Sequence, residues 1–209
     1  MSRPPHGHVG VHRCSRKEFT KANKMGQQFV AMCKQGDLEG VEDALLGGED
    51  VNSMDGYGRT GLMLALEGRH TAMARLLLLR NGIDINICDT LGRTALHYAA
   101  RKAENSEFLS TLLRRPELTN VDLKTFSGMT PLWLAVYNRA TLCVQILLND
   151  ARTNPNKTGS PVLMGRHGSP IMWAVKINFV AGVELLLADP RVDLLTRDGY
   201  ERGAKEMTR

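Results

Sequence analysis

Gly92-Arg93-Thr94-Ala95-Leu96-His97-Tyr98-Ala99 is one wording of a phrase that the chain repeats. Gly58-Arg59-Thr60-Gly61-Leu62-Met63-Leu64-Ala65 precedes it, and Gly128-Met129-Thr130-Pro131-Leu132-Trp133-Leu134-Ala135 follows. A worn copy reads His167-Gly168-Ser169-Pro170-Ile171-Met172-Trp173-Ala174. The hydroxyl anchors Thr60, Thr94, Thr130 and Ser169 stand 34, 36 and 39 residues apart. Self-similarity at this period means a stack of small units, each burying its apolar face on its neighbours.

The local chemistry says what each unit is. A hydroxyl residue before a short apolar run is a helix N-cap, and Pro131 and Pro170 stand at the first helical position, where a missing N–H costs nothing. The first helices are predicted over residues such as Ala95 to Arg101 and Pro131 to Tyr137. A second helix then ends in a leucine pair: Leu76-Leu77, Leu112-Leu113, Leu147-Leu148 and Leu186-Leu187. Upstream, a helical pattern begins at Glu18 and runs through Phe19, Ala22, Met25, Phe29, Val30 and Cys33, and Asp37 is placed to cap the next helix. An extended hairpin-like connection joins one unit to the next.

These words resemble the ankyrin repeat family. The family's Thr-Pro-Leu-His-x-Ala-Ala signature is nearly complete from Thr94 to Ala100, with Ala95 in place of proline, and its closing Asp-Val-Asn is intact at Asp50-Val51-Asn52. Asp55, Asp89 and Asp198 match the aspartate that opens each finger. The resemblance implies an all-α, ankyrin-type helical solenoid with β-hairpin fingers. It divides the chain into a disordered tail at 1–17, a helical lead-in at 18–24, and a repeat domain at 25–209. That domain has an N-terminal cap, four full repeats and a partial last one.

Composition narrows the function. Aromatic residues are only 5%, so Leu, Ala, Met and Val must fill the core. The net charge of +5 is confined to residues 1–24, where Arg3, Arg13, Arg16, Lys17, Lys21 and Lys24 face a single acid, Glu18. Such an arm attracts nucleic acid, acidic protein or anionic membrane, or simply solvates the terminus. No apolar segment suits a signal peptide or a membrane span, and Cys33 and Cys143 read as small buried hydrophobes. A cytoplasmic or nuclear protein without a membrane partner is expected.

Three signals of chemistry are weighed and set aside. Gly56-Tyr57-Gly58-Arg59-Thr60-Gly61 matches a dinucleotide fingerprint, with Asp84 downstream, but no hydrophobic strand precedes it. His6, His8, His12 and Cys14 are plausible metal ligands on a flexible tail, but no second cluster closes a site. His97 is expected to bond locally at its helix start. No catalytic residues, cofactor, metal or small-molecule substrate are therefore expected.

What remains is recognition. The resemblance implies that partners are held by finger tips and the exposed surface of the first helices. Carried onto this chain, those positions give Tyr57, Arg59, Leu91, Arg93, Arg101, Phe126, Met129 and Tyr137. Arg166 and Lys176 fall in the fourth repeat, and Tyr200 and Arg202 in the partial unit. Aromatics with arginine are the composition of interface hot spots, and Glu67 is the single acid among them. The expected partner is a protein or peptide of acidic and apolar character. Two alternatives stay open: a nucleic-acid-associated regulator acting through the basic tail, and a fragment of a larger protein. Trp133 and Trp173 are expected to be partly buried and are not counted as anchors. Lys157 to Gly168 forms an enlarged finger, read either as a binding insertion or as a tolerated one. Leu112 and Leu147 are expected between repeats, whereas Arg93→Ala and Phe126→Ala are expected to spare stability.

Overall fold

A computed structural model of the protein describes residues 24–159 and 168–195. The tail, the tip of the enlarged finger, Arg166, Tyr200 and Arg202 lie outside the described residues. Ten α-helices follow one another in five pairs among the described residues: α1 (Lys24–Gln35) and α2 (Leu38–Leu46), α3 (Gly61–Gly68) and α4 (Thr71–Leu78), α5 (Ala95–Ala100) and α6 (Ser106–Leu113), α7 (Pro131–Tyr137) and α8 (Thr141–Asn149), α9 (Pro170–Lys176) and α10 (Val180–Ala188). The first helices touch in the order α1, α3, α5, α7, α9, and α6, α8 and α10 touch in a second row. The solenoid expected from the repeat is therefore present.

The caps are those the sequence spells, with one exception. Asp37 accepts a hydrogen bond from Gly40 N at 3.0 Å. Thr60 and Thr130 accept from the backbone N–H groups of Met63 and Trp133. Ser169 has the extended backbone of a cap, yet its hydroxyl is buried and makes no hydrogen bond. The helix it opens relies on Pro170 for its start instead. At the other end of the first helices, Arg69, Arg139 and Asn178 each adopt the left-handed conformation that turns the chain into the second helix. Before α6 the 3₁₀ turn Ala103–Asn105 intervenes, and Asn105 reaches back to Leu66 O at 2.9 Å.

A continuous apolar core runs through all five pairs. Leu112 and Leu147 are fully buried within it, as are Cys33 and Cys143, which are free thiols pushed up to about 12 by burial. Some positions differ from the expected pattern. Met25 and Leu46 are exposed, because α1 and α2 begin the described stack and have a neighbour on one side only.

Two side-chain systems tie each repeat to the next. The first is a ladder of amides. Asn52 donates to Gly82 O and accepts from Asp84 N, both at 2.8 Å. Asn86 does the same to Glu117 O and Thr119 N at 2.7 and 3.1 Å, and Asn156 to Arg191 O and Asp193 N at 2.7 Å each. Each amide matches one carbonyl and one N–H, which is what an Asn side chain offers. The third rung is Asp122. Its Oδ2 accepts from Asn154 N at 2.9 Å and lies 3.7 Å from Lys157 Nζ, while its Oδ1 is buried without a partner. Burial raises its carboxyl above the ordinary range.

The second system explains the long closing loops. The guanidinium groups of Arg115, Arg152 and Arg191 donate to Leu78 O, Leu113 O and Leu148 O, carbonyls in the last turns of the preceding second helices. These carbonyls have no partner within their own helix. Asp150 and Asp189 orient Arg152 and Arg191 at 2.7 and 2.6 Å, and those hydrogen bonds hold both carboxyls below the usual range.

Two outcomes follow in thermal melts. Leu147→Ala costs about 2–5 kcal/mol. Asp122→Asn supplies the missing donor and raises the midpoint at pH 7.5, since a buried unpaired polar atom costs about 1–3 kcal/mol. The raised carboxyl favours folding only while protonated, so the parent loses that contribution as pH rises through its folded pKa and the variant does not. A lower midpoint for Asp122→Asn at pH 7.5 would contradict the reading of this rung.

Candidate functional site

The candidate surface begins at the fingers. Each is a turn closed by a backbone bond across its base: Asp55 N to Arg59 O, Asp89 N to Arg93 O and Thr125 N to Met129 O, all 2.9 to 3.0 Å. One antiparallel bridge, Met54 to Thr60, is the extent of β pairing among the described residues. The fingers are thus hairpin-shaped turns rather than ladders. Gly92 shows why glycine stands in the phrase. Its φ is +75°, and a Cβ there would lie 3.0 Å from Phe126 N. Gly58 takes the same left-handed turn, so the apparent dinucleotide fingerprint is a finger.

Neighbouring tips are joined. Thr90 N donates to Tyr57 O and Phe126 N to Leu91 O, each at 2.9 Å. The side chains of Tyr57, Leu91 and Phe126 stand out from these linked tips, 66%, 52% and 51% exposed. They form a row of apolar groups on a backbone that is already hydrogen-bonded from finger to finger.

Among the described residues, the arginines of the predicted stripe, Arg59, Arg93 and Arg101, each pair with an acid. Asp55 Oδ1 accepts from Tyr57 N and Arg59 N, and its Oδ2 pairs with Arg59 at 2.7 Å. Arg59 also reaches Glu67 at 3.2 Å, and Arg101 approaches the same acid at 3.7 Å. In the next finger Asp89, only 1% exposed, pairs with Arg93 at 2.7 Å and accepts from Tyr98 Oη at 2.9 Å. Arg93 lies over the Tyr98 ring at 4.7 Å. These arginines neutralise buried or half-buried carboxylates within the fold. The expectation that Arg93→Ala spares stability is therefore corrected: it would strip a buried carboxylate of its counter-charge. In the third finger Thr125 Oγ1 takes the aspartate's part by accepting from Met129 N at 3.1 Å, and Met129 itself is half-buried.

His97 behaves as expected. Its Nδ1 accepts from Thr94 N at 3.1 Å, and its Nε2 bonds Leu123 O of the next unit at 2.9 Å. Burial pushes it down to about 4, so the ring is neutral at pH 7. The same position in the third repeat is Trp133, which is 5% exposed. Its Nε1 lies beside Gly159, where a Cβ would be 3.2 Å away, and it finds no acceptor there.

Trp133 is part of a feature that reading the sequence missed. Its ring centroid lies 5.5 Å from Tyr137 and 5.2 Å from Trp173, and Tyr137 lies 5.7 Å from Trp173. The interplanar angles run from 17° to 33°. The Lys176 ammonium sits 4.6 Å from the Trp173 ring centre. Tyr137 and Lys176, both predicted, are thus brought together, but by two tryptophans that were set aside. The signal was present as two bulky indoles in adjacent first helices.

Comparison with known proteins agrees with the repeat pattern. A family model described as Ankyrin repeats (3 copies) matches residues 29–122 and 104–198. Inversin of Canis lupus familiaris is 33% identical over 131 residues, covering 62% of this chain and 12% of that protein. Neurogenic locus notch homolog protein 1 of Xenopus laevis is 32% identical over 198 residues, covering 88% of this chain and 7% of that protein. The chain spans a small part of the length of these relatives.

Two substitutions separate the roles. Phe126→Ala leaves the unfolding free energy within about 0.5 kcal/mol of the parent, as for an exposed group, whereas Arg93→Ala lowers it by about 3 kcal/mol or more, as when one partner of a buried pair is lost. Because His97 must be neutral to accept from Thr94, the parent loses stability as pH falls from 6.5 towards about 4. In His97→Gln that loss is smaller, which urea titrations at pH 7 and pH 4.5 would measure.

Proposed function

The chain belongs to the ankyrin-repeat family, whose repeats are generally protein–protein interaction modules, and from that premise we propose that it is a non-enzymatic scaffold. It holds a protein or peptide along the finger tips and the first-helix surface. The observation that carries this reading is the row Tyr57, Leu91 and Phe126, exposed on tips whose backbones are bonded to one another. Because the row is fixed before any partner arrives, binding orders few groups on this side and costs little entropy. The arginines behind it set its shape, not its charge. Partner specificity in this reading is apolar along the fingers, with acidic preference confined to cations left uncommitted.

The basic segment at residues 1–24 supports a second reading, binding to nucleic acid. The two differ in salt response, because phosphate contacts weaken steeply with added salt.

The test is a Tyr57→Ala, Leu91→Ala, Phe126→Ala triple variant beside the parent and a chain lacking residues 1–24, each used to capture partners identified by mass spectrometry. The triple variant is expected to melt like the parent and to bind the captured partner at least about tenfold more weakly, as for loss of a hot spot. The truncated chain keeps the partner. Retention by the triple variant together with loss by the truncated chain would reject the scaffold reading in favour of the tail.

A further inference from the structure

We propose that the ring cluster where α7 meets α9 is a seat for an acidic, aromatic-bearing peptide segment of a protein partner. Its carboxylate pairs with Lys176 and its ring stacks on Tyr137. This rests on the scaffold reading and adds to it a place and a recognition chemistry.

Charge selects the occupant. Among the described residues the ammonium of Lys176 has a ring, not a carboxylate, beneath it. That sets it apart from Arg59, Arg93 and Arg101, each paired with an acid. Neither α7 nor α9 contains an Asp or Glu, and the residue that turns the chain out of α7 is Arg139. An aromatic cluster without acids commonly attracts cations. Here the chain's own lysine already lies over Trp173, so a second cation meets repulsion and an anion meets attraction. Tyr137 supplies the other half. It is stacked on both tryptophans, yet 42% of it remains exposed. An offset ring from a partner extends that stack, and such pairs favour interfaces.

The cluster is also costly in the free protein. Among the described residues neither buried indole Nε1 group has an acceptor, although Trp133 stands where His97 bonds a carbonyl of its neighbour. Leucine in those places would pack without leaving donors unpaired. A cluster that stability alone does not call for, beside a cation with no carboxylate partner among the described residues and a half-open ring, is the composition of a recognition site.

Trp133 and Trp173 are the chain's two tryptophans, so its indole fluorescence reports on this site directly. The full chain is titrated with an eight-residue peptide of alternating aspartate and phenylalanine. Controls alternate asparagine with phenylalanine, aspartate with serine, and lysine with phenylalanine. A saturable emission change is expected with the first peptide, at least tenfold weaker binding with the asparagine and serine controls, and none with the lysine peptide. Lys176→Gln and Tyr137→Ala weaken the first peptide at least tenfold. Lys176 is exposed, so its variant melts like the parent and carries the test should Tyr137→Ala fold poorly. Equal binding of the lysine or asparagine peptide, or full binding by Lys176→Gln, overturns the proposal. So does loss of the peptide in the Tyr57, Leu91, Phe126 triple variant, which would place it on the fingers. Failure of the peptide while partner capture still depends on the triple positions sinks this inference and leaves the scaffold reading standing.

Discussion

One side-chain handover links each repeat to the next, by an amide in three rungs and by the Asp122 carboxylate in another, and the stack depends on it. A helix pair of this size cannot cover its own apolar face, so its neighbours must arrive at a fixed height and tilt. Asn52, Asn86 and Asn156 set the height by meeting one carbonyl and one N–H of the following connection. The arginine bonds from Arg115, Arg152 and Arg191 act in the same connections, through the carbonyl ends of the second helices. With the connections pinned in both ways, the leucines between repeats pack into one core. The finger tips are then close enough to bond to each other.

That hierarchy decides what could be read from the residues in order. Asp37 as a cap, the start of α7 at Pro131 and the left-handed glycines of the fingers are local events, settled within four or five residues. They were legible, as was the repeat that generates the solenoid. The ion pairs of Arg59, Arg93 and Arg101 were not foreseen because their family position is exposed by register, while Asp55, Asp89 and Glu67 meet them within the fold. The spacing of Asp55 to Arg59, repeated at Asp89 to Arg93, carried that pairing across a turn. The ring cluster was hidden for another reason. Trp133 stands three residues after its anchor and Trp173 four, so no single register position unites them. Only the packing of α7 on α9 brings the rings together.

The same contrast separates fold from recognition. Polar groups in the repeated phrase are spent inside the molecule: Thr94 on His97, Tyr98 on Asp89, Arg93 on the same carboxylate. What the fold leaves uncommitted is small and apolar in the fingers, and aromatic with one cation at α7 and α9. In the proposed scaffold, recognition falls to the positions the repeat does not dictate.

Asp122 gives this division a mechanical side. It replaces the amide in the rung that joins the third unit to the fourth, and one of its oxygens bonds nothing. The ring cluster crosses that same junction, with Trp133 and Tyr137 on one side and Trp173 on the other. In a nearly one-dimensional array, a weakened interface is where the array yields first. At this junction one rung lacks a bond, and three stacked rings span the two helices beside it. A ligand gripping those rings would act as a splint, touching both helices at once and bracing the junction where the ladder is weakest.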